Sequence, residues 1–106
     1  MATPVTNITV PQATNFSKTY TYTESGITTG AARMMKHVGA TTSTSFTVGI
    51  NTSTSVVTLS LTPSQTIPLA GGRYYYDVLL ENGTTGNISR LVEGIVDLTA
   101  GVTTTI

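Results

Sequence analysis

The chain has 106 residues, which is enough for one domain with a single core and too few for two. Charged residues make up only 9% of it and the formal net charge is zero, so no basic field exists to hold nucleic acid or anionic lipid. We therefore expect neither nucleic acid nor a membrane as a partner.

Threonine and serine are frequent, with 24 and 9 copies, and β-branched threonine suits the exposed faces of strands. Cysteine is absent, which excludes disulfides and thiolate metal sites. The amino terminus has no basic segment followed by an apolar run, and no window is apolar enough to span a membrane. These features predict an all-β protein that folds in a reducing cytoplasm.

Residues 1 to 15 are polar and contain two prolines, with only Ile8 and Val10 in weak alternation. Because proline cannot donate to a strand ladder, this segment is predicted to be a flexible N-terminal arm or an edge strand. The remaining residues, 16 to 106, are expected to form a single β-sandwich domain.

The next segments show strand periodicity with one ambiguous case. Phe16, Tyr20 and Tyr22 share a face, and Lys18 on that face has to extend outward to water. Residues 31 to 38 contain good helix formers, but eight residues between two glycines make a marginal helix. Ala32, Met34 and Val38 alternate as in a strand, so we favour a strand there.

Two clearer strands follow, over residues 44 to 50 and 57 to 61, separated by turn residues 51 to 55. Pro63 and Ser64 end the second strand, and Ile67 and Leu69 are expected to cover one end of the core. The residues predicted to face inward on these strands are Phe46, Val48, Ile50, Val57, Leu59 and Leu61.

A β-hairpin is predicted over residues 69 to 99, and its first arm alternates with a period of two. Asn82-Gly83 and Gly86-Asn87 allow the chain to reverse, because these residues tolerate positive φ. In the second arm neither alternate set is wholly apolar, so its register is less defined. The candidate core anchors are Tyr74, Tyr76, Val78 and Leu80, and the outward face of the same arm carries Arg73, Tyr75 and Asp77.

Leu69, Gly72 and Tyr74 resemble the tyrosine corner of immunoglobulin-like sandwiches, in which a tyrosine hydroxyl bonds to nearby backbone. Turn signals separate about six to eight short strands at regular spacing. The sequence therefore predicts an immunoglobulin-like antiparallel β-sandwich.

Catalytic groups are scarce in this chain. It has one histidine, His37, no cysteine and no close pair of acids, and its acidic residues are scattered. Asp77, Glu81 and Asp97 can approach one another across the hairpin, but no dense acidic loop is present, so a solvated polar face is the simpler interpretation. We expect no enzyme activity, no metal and no cofactor.

The candidate interface consists of Arg73, Tyr75 and Asp77. Tyrosine and arginine are enriched at binding hot spots, so Tyr75 with Arg73 fits an interface. The alternative is that Tyr75 only pairs with a cross-strand neighbour.

Part of the sequence resembles the amino-terminal domain of tailed-phage upper baseplate proteins of the BppU type and related small virion proteins. The segments that carry this resemblance are Leu59-Ser-Leu-Thr-Pro-Ser-Gln-Thr66, Gly72-Arg-Tyr-Tyr-Tyr-Asp77 and Leu91-Val-Glu-Gly94, closing on Val102-Thr103. In that family the domain is an immunoglobulin-like sandwich that docks a receptor-binding or fibre component onto the virion. Baseplate members continue into stalks or carbohydrate-binding domains, whereas this chain stops at Ile106.

The resemblance implies a structural virion protein, either an adaptor at the baseplate, tail or fibre attachment or a capsid decoration (cement) protein, assembled in the bacterial cytoplasm. Its expected partners are other virion proteins (tail, baseplate, fibre or major capsid protein) and further copies of itself in a symmetric assembly. The alternative is a carbohydrate- or host-surface-binding module. Tryptophan is absent and most of the seven aromatic residues are assigned to the core, so the structural role is favoured.

Overall fold

The computed structural model describes residues 5–37, 39 and 43–102. Within this part of the chain, the elements in order are β1 (Ile8–Pro11), β2 (Phe16–Thr21), β3 (Ile27–Met35), β4 (Thr44–Ser45), β5 (Thr47–Asn51), β6 (Val56–Leu61), α1 (Pro63–Thr66), β7 (Gly72–Asn82) and β8 (Ile88–Thr99).

The strands form two sheets that pack face to face, which confirms the predicted β-sandwich. One sheet has five strands in the order β1-β8-β7-β3-β4, and the other has three in the order β2-β6-β5. Neighbouring strands are antiparallel with one exception, because β1 runs parallel to β8. The core lies between the sheets and is built from the inward residues of each strand.

Alternation in the first hairpin arm determines which side chains enter this core. Tyr74, Tyr76, Val78 and Leu80 are all buried, while the residues between them point away from the core. The second arm contains a β-bulge: Val78 pairs with Val92, but Leu79 pairs with Arg90. The bulge interrupts the period of two, which is why neither alternate set of that arm is wholly apolar.

The ambiguous segment after Gly30 is a strand, as predicted, as far as Met35. It lies in β3, where Ala32 and Met34 are buried, and burial outweighs the helix propensity of the residues. Val38 lies outside the described residues. Gly30 also permits close packing, because a Cβ there would stand 3.0 Å from Val48 and 3.1 Å from Ile50.

Two predictions for the middle of the chain were wrong. The single strand predicted over residues 44 to 50 is divided at Phe46, where the chain passes from β4 in one sheet to β5 in the other. The segment after Leu61 contains the short helix α1, and Ile67, expected to cover the core, is 39% exposed. Leu69 does pack against the core, and Thr66, the last residue of α1, is fully buried.

Among the described residues of the segment 1 to 15, Ile8–Pro11 form β1, which lies at the edge of the five-stranded sheet. Ile8 and Val10 of β1 are buried, so β1 is part of the sandwich and the domain begins before Phe16. The backbone N–H of Thr6 donates to the carbonyl of Glu93 at 2.9 Å. A Cβ at Gly94 would collide with the Thr6 carbonyl, so glycine there allows the amino-terminal segment to lie against β8.

Gln12, just after β1, joins three parts of the chain through its side-chain amide. Its Nε2 donates to the carbonyls of Thr66, Ile67 and Leu69 at 3.0 to 3.2 Å, and its Oε1 accepts from the N–H of Gly101 at 2.9 Å. These bonds hold the β1–β2 connection against the α1 turn and against the chain that follows β8.

Two tyrosine hydroxyls anchor the start of β7. The Tyr74 hydroxyl donates to the carbonyl of Ala70 at 2.7 Å, which is the geometry of a tyrosine corner. The Tyr76 hydroxyl donates to the Thr6 carbonyl at 2.6 Å and lies 2.7 Å from the Tyr20 hydroxyl on the opposite sheet. Because a carbonyl oxygen can only accept, the Tyr76 hydroxyl donates its hydrogen bond to Thr6 and accepts one from the Tyr20 hydroxyl.

We expect Tyr76→Phe to lower the free energy of unfolding by about 1–3 kcal/mol, because the Thr6 carbonyl loses its donor and the Tyr20 hydroxyl its acceptor. Urea denaturation measures this difference. Tyr75→Phe is the matched control, since it removes an equivalent hydroxyl from a 41% exposed ring and should change stability by no more than about 0.5 kcal/mol. Equal losses in the two variants would contradict the assignment.

Alkaline pH provides a second test of the same group. Burial, with the Tyr20 hydrogen bond adding to it, raises the pKa of Tyr76 above its usual value of 10.0. As pH approaches 10, Tyr76 loses its proton in the unfolded state but keeps it in the folded state. The unfolded state then binds fewer protons, so the free energy of unfolding should fall as pH rises. Between about pH 9 and pH 11 the wild type should lose up to about 1 kcal/mol more than Tyr76→Phe. If the free energy of unfolding fell equally with pH in the two proteins, Tyr76 would not be the group responsible.

Candidate interaction surface

The outer face of the five-stranded sheet, meaning the side of β1, β3, β7 and β8 that points away from the core, is organised in cross-strand rows. The first row is apolar: Met35 of β3 pairs with Tyr75 of β7, and Tyr75 pairs with Ile95 of β8. Met35 and Ile95 are half-buried and Tyr75 is 41% exposed. An aromatic ring flanked by two apolar side chains therefore lies at the centre of this face.

The adjacent row is charged. Arg33 of β3 pairs with Asp77 of β7, and Asp77 pairs with Glu93 of β8. Asp77 Oδ2 also lies 3.2 Å from Nε of Arg90, and both side chains are substantially exposed, so this ion pair contributes little to stability. The contact brings the Arg90 side chain toward the charged row.

The next row returns to apolar character, with Ala31 opposite Leu79 and Leu79 opposite Arg90. Together the rows enclose a shallow concavity of about 560 Å³. It is lined by Ala31, Arg33, Met35, Tyr75, Asp77, Leu79, Arg90, Glu93 and Gly94, together with the buried residues Ala32 and Tyr76.

The three residues of the candidate interface all lie on this outer face. Arg73 is exposed and pairs in register with Asp97, and Tyr75 is the most exposed aromatic ring of β7. Asp77 is half-buried and engaged with Arg90. Tyr75 also pairs with Met35 and Ile95, so the two interpretations of this residue are compatible.

Sequence reasoning missed the part of this surface that comes from β3 and β8. Met35, Ile95 and Arg33 become neighbours of Tyr75 and Asp77 only through strand pairing, which the sequence does not specify. One signal was visible: Leu79 falls between Val78 and Leu80, so alternation alone places a large apolar residue on the outward side.

The outer face of the three-stranded sheet has a different character. Its outward residues are nearly all hydroxyl-bearing or small: Ser17, Thr19, Thr21, Thr47, Gly49, Asn51, Val56, Thr58 and Ser60. In contrast, seven of the ten charged residues of the chain point outward from the five-stranded sheet: Arg33, Arg73, Asp77, Glu81, Arg90, Glu93 and Asp97. Apolar and charged groups are thus concentrated on one side of the sandwich.

The described residues contain no group of three or more histidine, cysteine, aspartate or glutamate side chains that could hold a metal. Glu24, an acid outside the strands, accepts a hydrogen bond from Nδ2 of Asn82 at 2.9 Å and so supports the hairpin turn. In the same part of the chain, no helix is both long enough and apolar enough to cross a membrane.

No family model matches this sequence, and no curated protein matches it. Solved structures do match. The NK cell receptor NKp44, described as a triggering partner in natural cytotoxicity, aligns at 13% identity with a TM-score of 0.54 over 93% of this chain and 100% of its own. The extracellular domain of the voltage-gated sodium channel beta4 subunit aligns at 12% identity with a TM-score of 0.45 over 96% of this chain and 97% of its own.

At 13% identity the likeness to NKp44 concerns the fold alone. Together with the two-sheet topology and the tyrosine corner, it establishes the predicted immunoglobulin-like sandwich, with one parallel pair, β1–β8, in an otherwise antiparallel arrangement. The roles of NKp44 and of the beta4 subunit are properties of those proteins, because a shared fold does not by itself carry function.

The two faces of β7 lead to opposite expectations for neighbouring tyrosines. Tyr76→Ala should lower the free energy of unfolding by about 3–5 kcal/mol, because it leaves a cavity in the core. Tyr75→Ala should cost at most about 1 kcal/mol through lost cross-strand contacts. Chemical denaturation of both variants tests this, and equal destabilisation would show that the register of the hairpin is wrong.

Proposed function

We propose that this chain is a non-enzymatic structural protein of a tailed-phage virion that binds other virion proteins through the outer face of its five-stranded sheet. Depending on its neighbour, it acts as an adaptor at the baseplate, tail or fibre attachment, or as a capsid decoration protein. The virion context comes from the resemblance of the segments 59–66, 72–77 and 91–94 to phage baseplate domains.

The observation that carries the binding role is the asymmetry between the two outer faces. One face presents Tyr75 between Met35 and Ile95 with charged residues around it, while the other presents mainly threonine and serine. Aromatic residues, methionine and arginine are enriched in protein interfaces. A solvated surface with no partner has no need of this row of large apolar side chains.

A carbohydrate- or host-surface-binding module is the rival function. The concavity of about 560 Å³ holds one exposed ring, Tyr75, beside the polar groups of Asp77 and Glu93. A single aromatic platform on an open sheet surface supports glycan binding less well than a protein partner, because small-molecule sites usually enclose most of the ligand surface.

Particles of the host phage that carry a tagged copy of the chain provide the test. The tagged protein should sediment with purified particles, and immunogold microscopy should place it at a fixed position on them. Tyr75→Arg should reduce incorporation about tenfold or more, since it replaces the central apolar contact by a charge. Thr19→Arg is the matched control on the other sheet and should incorporate normally.

Absence of the protein from purified particles would contradict the proposal, as would equal incorporation of the two arginine variants. A glycan array on the same purified protein identifies the rival function. Saturable glycan binding that Tyr75→Ala abolishes, with no incorporation into particles, would replace the structural role by a carbohydrate-binding one.

A further inference from the structure

The charged row of the outer face has opposite charges on its two flanks. Arg33 lies on β3 and Glu93 on β8, with Asp77 between them on β7. Arg90 of the same copy already neutralises Asp77. Among the described residues neither Arg33 nor Glu93 makes an ion pair, so one flank offers an unpaired positive charge and the other an unpaired negative one.

The apolar row has matching symmetry. Tyr75 is at its centre, and the side chains on the two flanks, Met35 and Ile95, are both apolar and of similar size. A second copy that faces this one presents each row in the reverse order. In the apolar row reversal leaves an apolar side chain on each flank, whereas in the charged row it places a negative charge opposite a positive one. Both properties are those of a surface that fits a second copy of itself.

We infer that the outer face binds the outer face of a second copy of this chain. The two copies are related by a two-fold axis that runs parallel to β7, between the five-stranded sheet of one copy and the five-stranded sheet of the other. This geometry places Arg33 of each copy over Glu93 of the other and Met35 over Ile95, and it brings the two Tyr75 rings together at the axis. Such an isologous contact satisfies both flanks at once. The inference rests on the proposed binding role of this face and names a second copy of the chain as the virion protein that occupies it.

The size of the face suits such a pairing. Three long strands, β3, β7 and β8, form its centre, and β1 and β4 extend it on either side. With strands about 4.8 Å apart and about 3.3 Å per residue, the projected area is about 500–600 Å². Side-chain relief raises the accessible area toward the roughly 800 Å² per partner of a standard interface. A second copy can therefore cover the apolar row completely.

Sedimentation velocity over a range of concentrations tests the inference directly. The wild type should show a monomer–dimer equilibrium. Arg33→Glu and Glu93→Arg should each weaken it at least about tenfold, because each single change opposes like charges across the axis. The double variant R33E/E93R should restore the dimer, since the exchanged charges again meet their opposites. Thermal unfolding of each variant shows whether the fold is intact.

Cross-linking tests the position of the axis. The chain has no cysteine, so a single introduced thiol reports only its own contact. Tyr75→Cys should give a covalent dimer with a short bismaleimide, because this position meets its own copy at the axis and sheets packed face to face lie about 10 Å apart, too far for a direct disulfide. Thr19→Cys, on the other sheet, should stay monomeric. Equal yields from the two variants, or failure of the double charge exchange to restore the dimer, would overturn the arrangement.

The two proposals fail in different ways. A wild-type chain that is monomeric at every concentration, while Tyr75→Arg still blocks incorporation into particles, overturns the dimer and leaves the virion role in place, with a different protein on the outer face. A chain that dimerises as described and never sediments with particles overturns the virion role and leaves the dimer.

Discussion

The hydroxyl group of Tyr76 joins three parts of the sandwich, because it links β7 to Tyr20 in the opposite sheet and to the backbone of Thr6 before β1. In antibody domains the second cysteine of the inter-sheet disulfide follows the tyrosine-corner residue by two positions. Here Tyr74 is the corner residue, so Tyr76 occupies that position. A hydrogen bond between two phenols, supported by the edge contact of Phe46 with the Tyr76 ring, links the sheets where a disulfide does so elsewhere.

This arrangement also explains the run of three tyrosines. Tyr74 is held by the Ala70 carbonyl and Tyr76 by Thr6 and Tyr20, so both inward rings are fixed at their far ends. A one-residue slip of β7 would break all of these bonds at once and would also turn the core residues outward. The outward direction of Tyr75 is therefore a consequence of its two neighbours, and the binding face is held by the same bonds that hold the core.

Period-two alternation is strong enough in β7 to predict its two faces, and turn chemistry predicts the reversal after Asn82. Other features depend on tertiary contacts that no local pattern records. The passage of the chain between sheets at Phe46 looks like continuous alternation, and the bulge opposite Val78 looks like a poor strand. The outward rows depend on two strand registers, β3 with β7 and β7 with β8. Alternation therefore predicts the outward direction of Tyr75 and Asp77 but not that Met35, Ile95 and Arg33 lie beside them.

The parallel pairing of β1 with β8 has a mechanical consequence. Because β1 and β8 are parallel, the chain enters β1 at one end of the pair and leaves β8 at the other end. A force that pulls on the chain before Ile8 and after Thr99 therefore acts along the strands, in opposite directions. In this shear geometry the bonds from Thr6–Glu93 to Gln12–Thr99 carry the load together, whereas an antiparallel pair pulled at one end opens bond by bond. The edge strand that closes the sheet is thus arranged to resist tension applied through both ends of the domain.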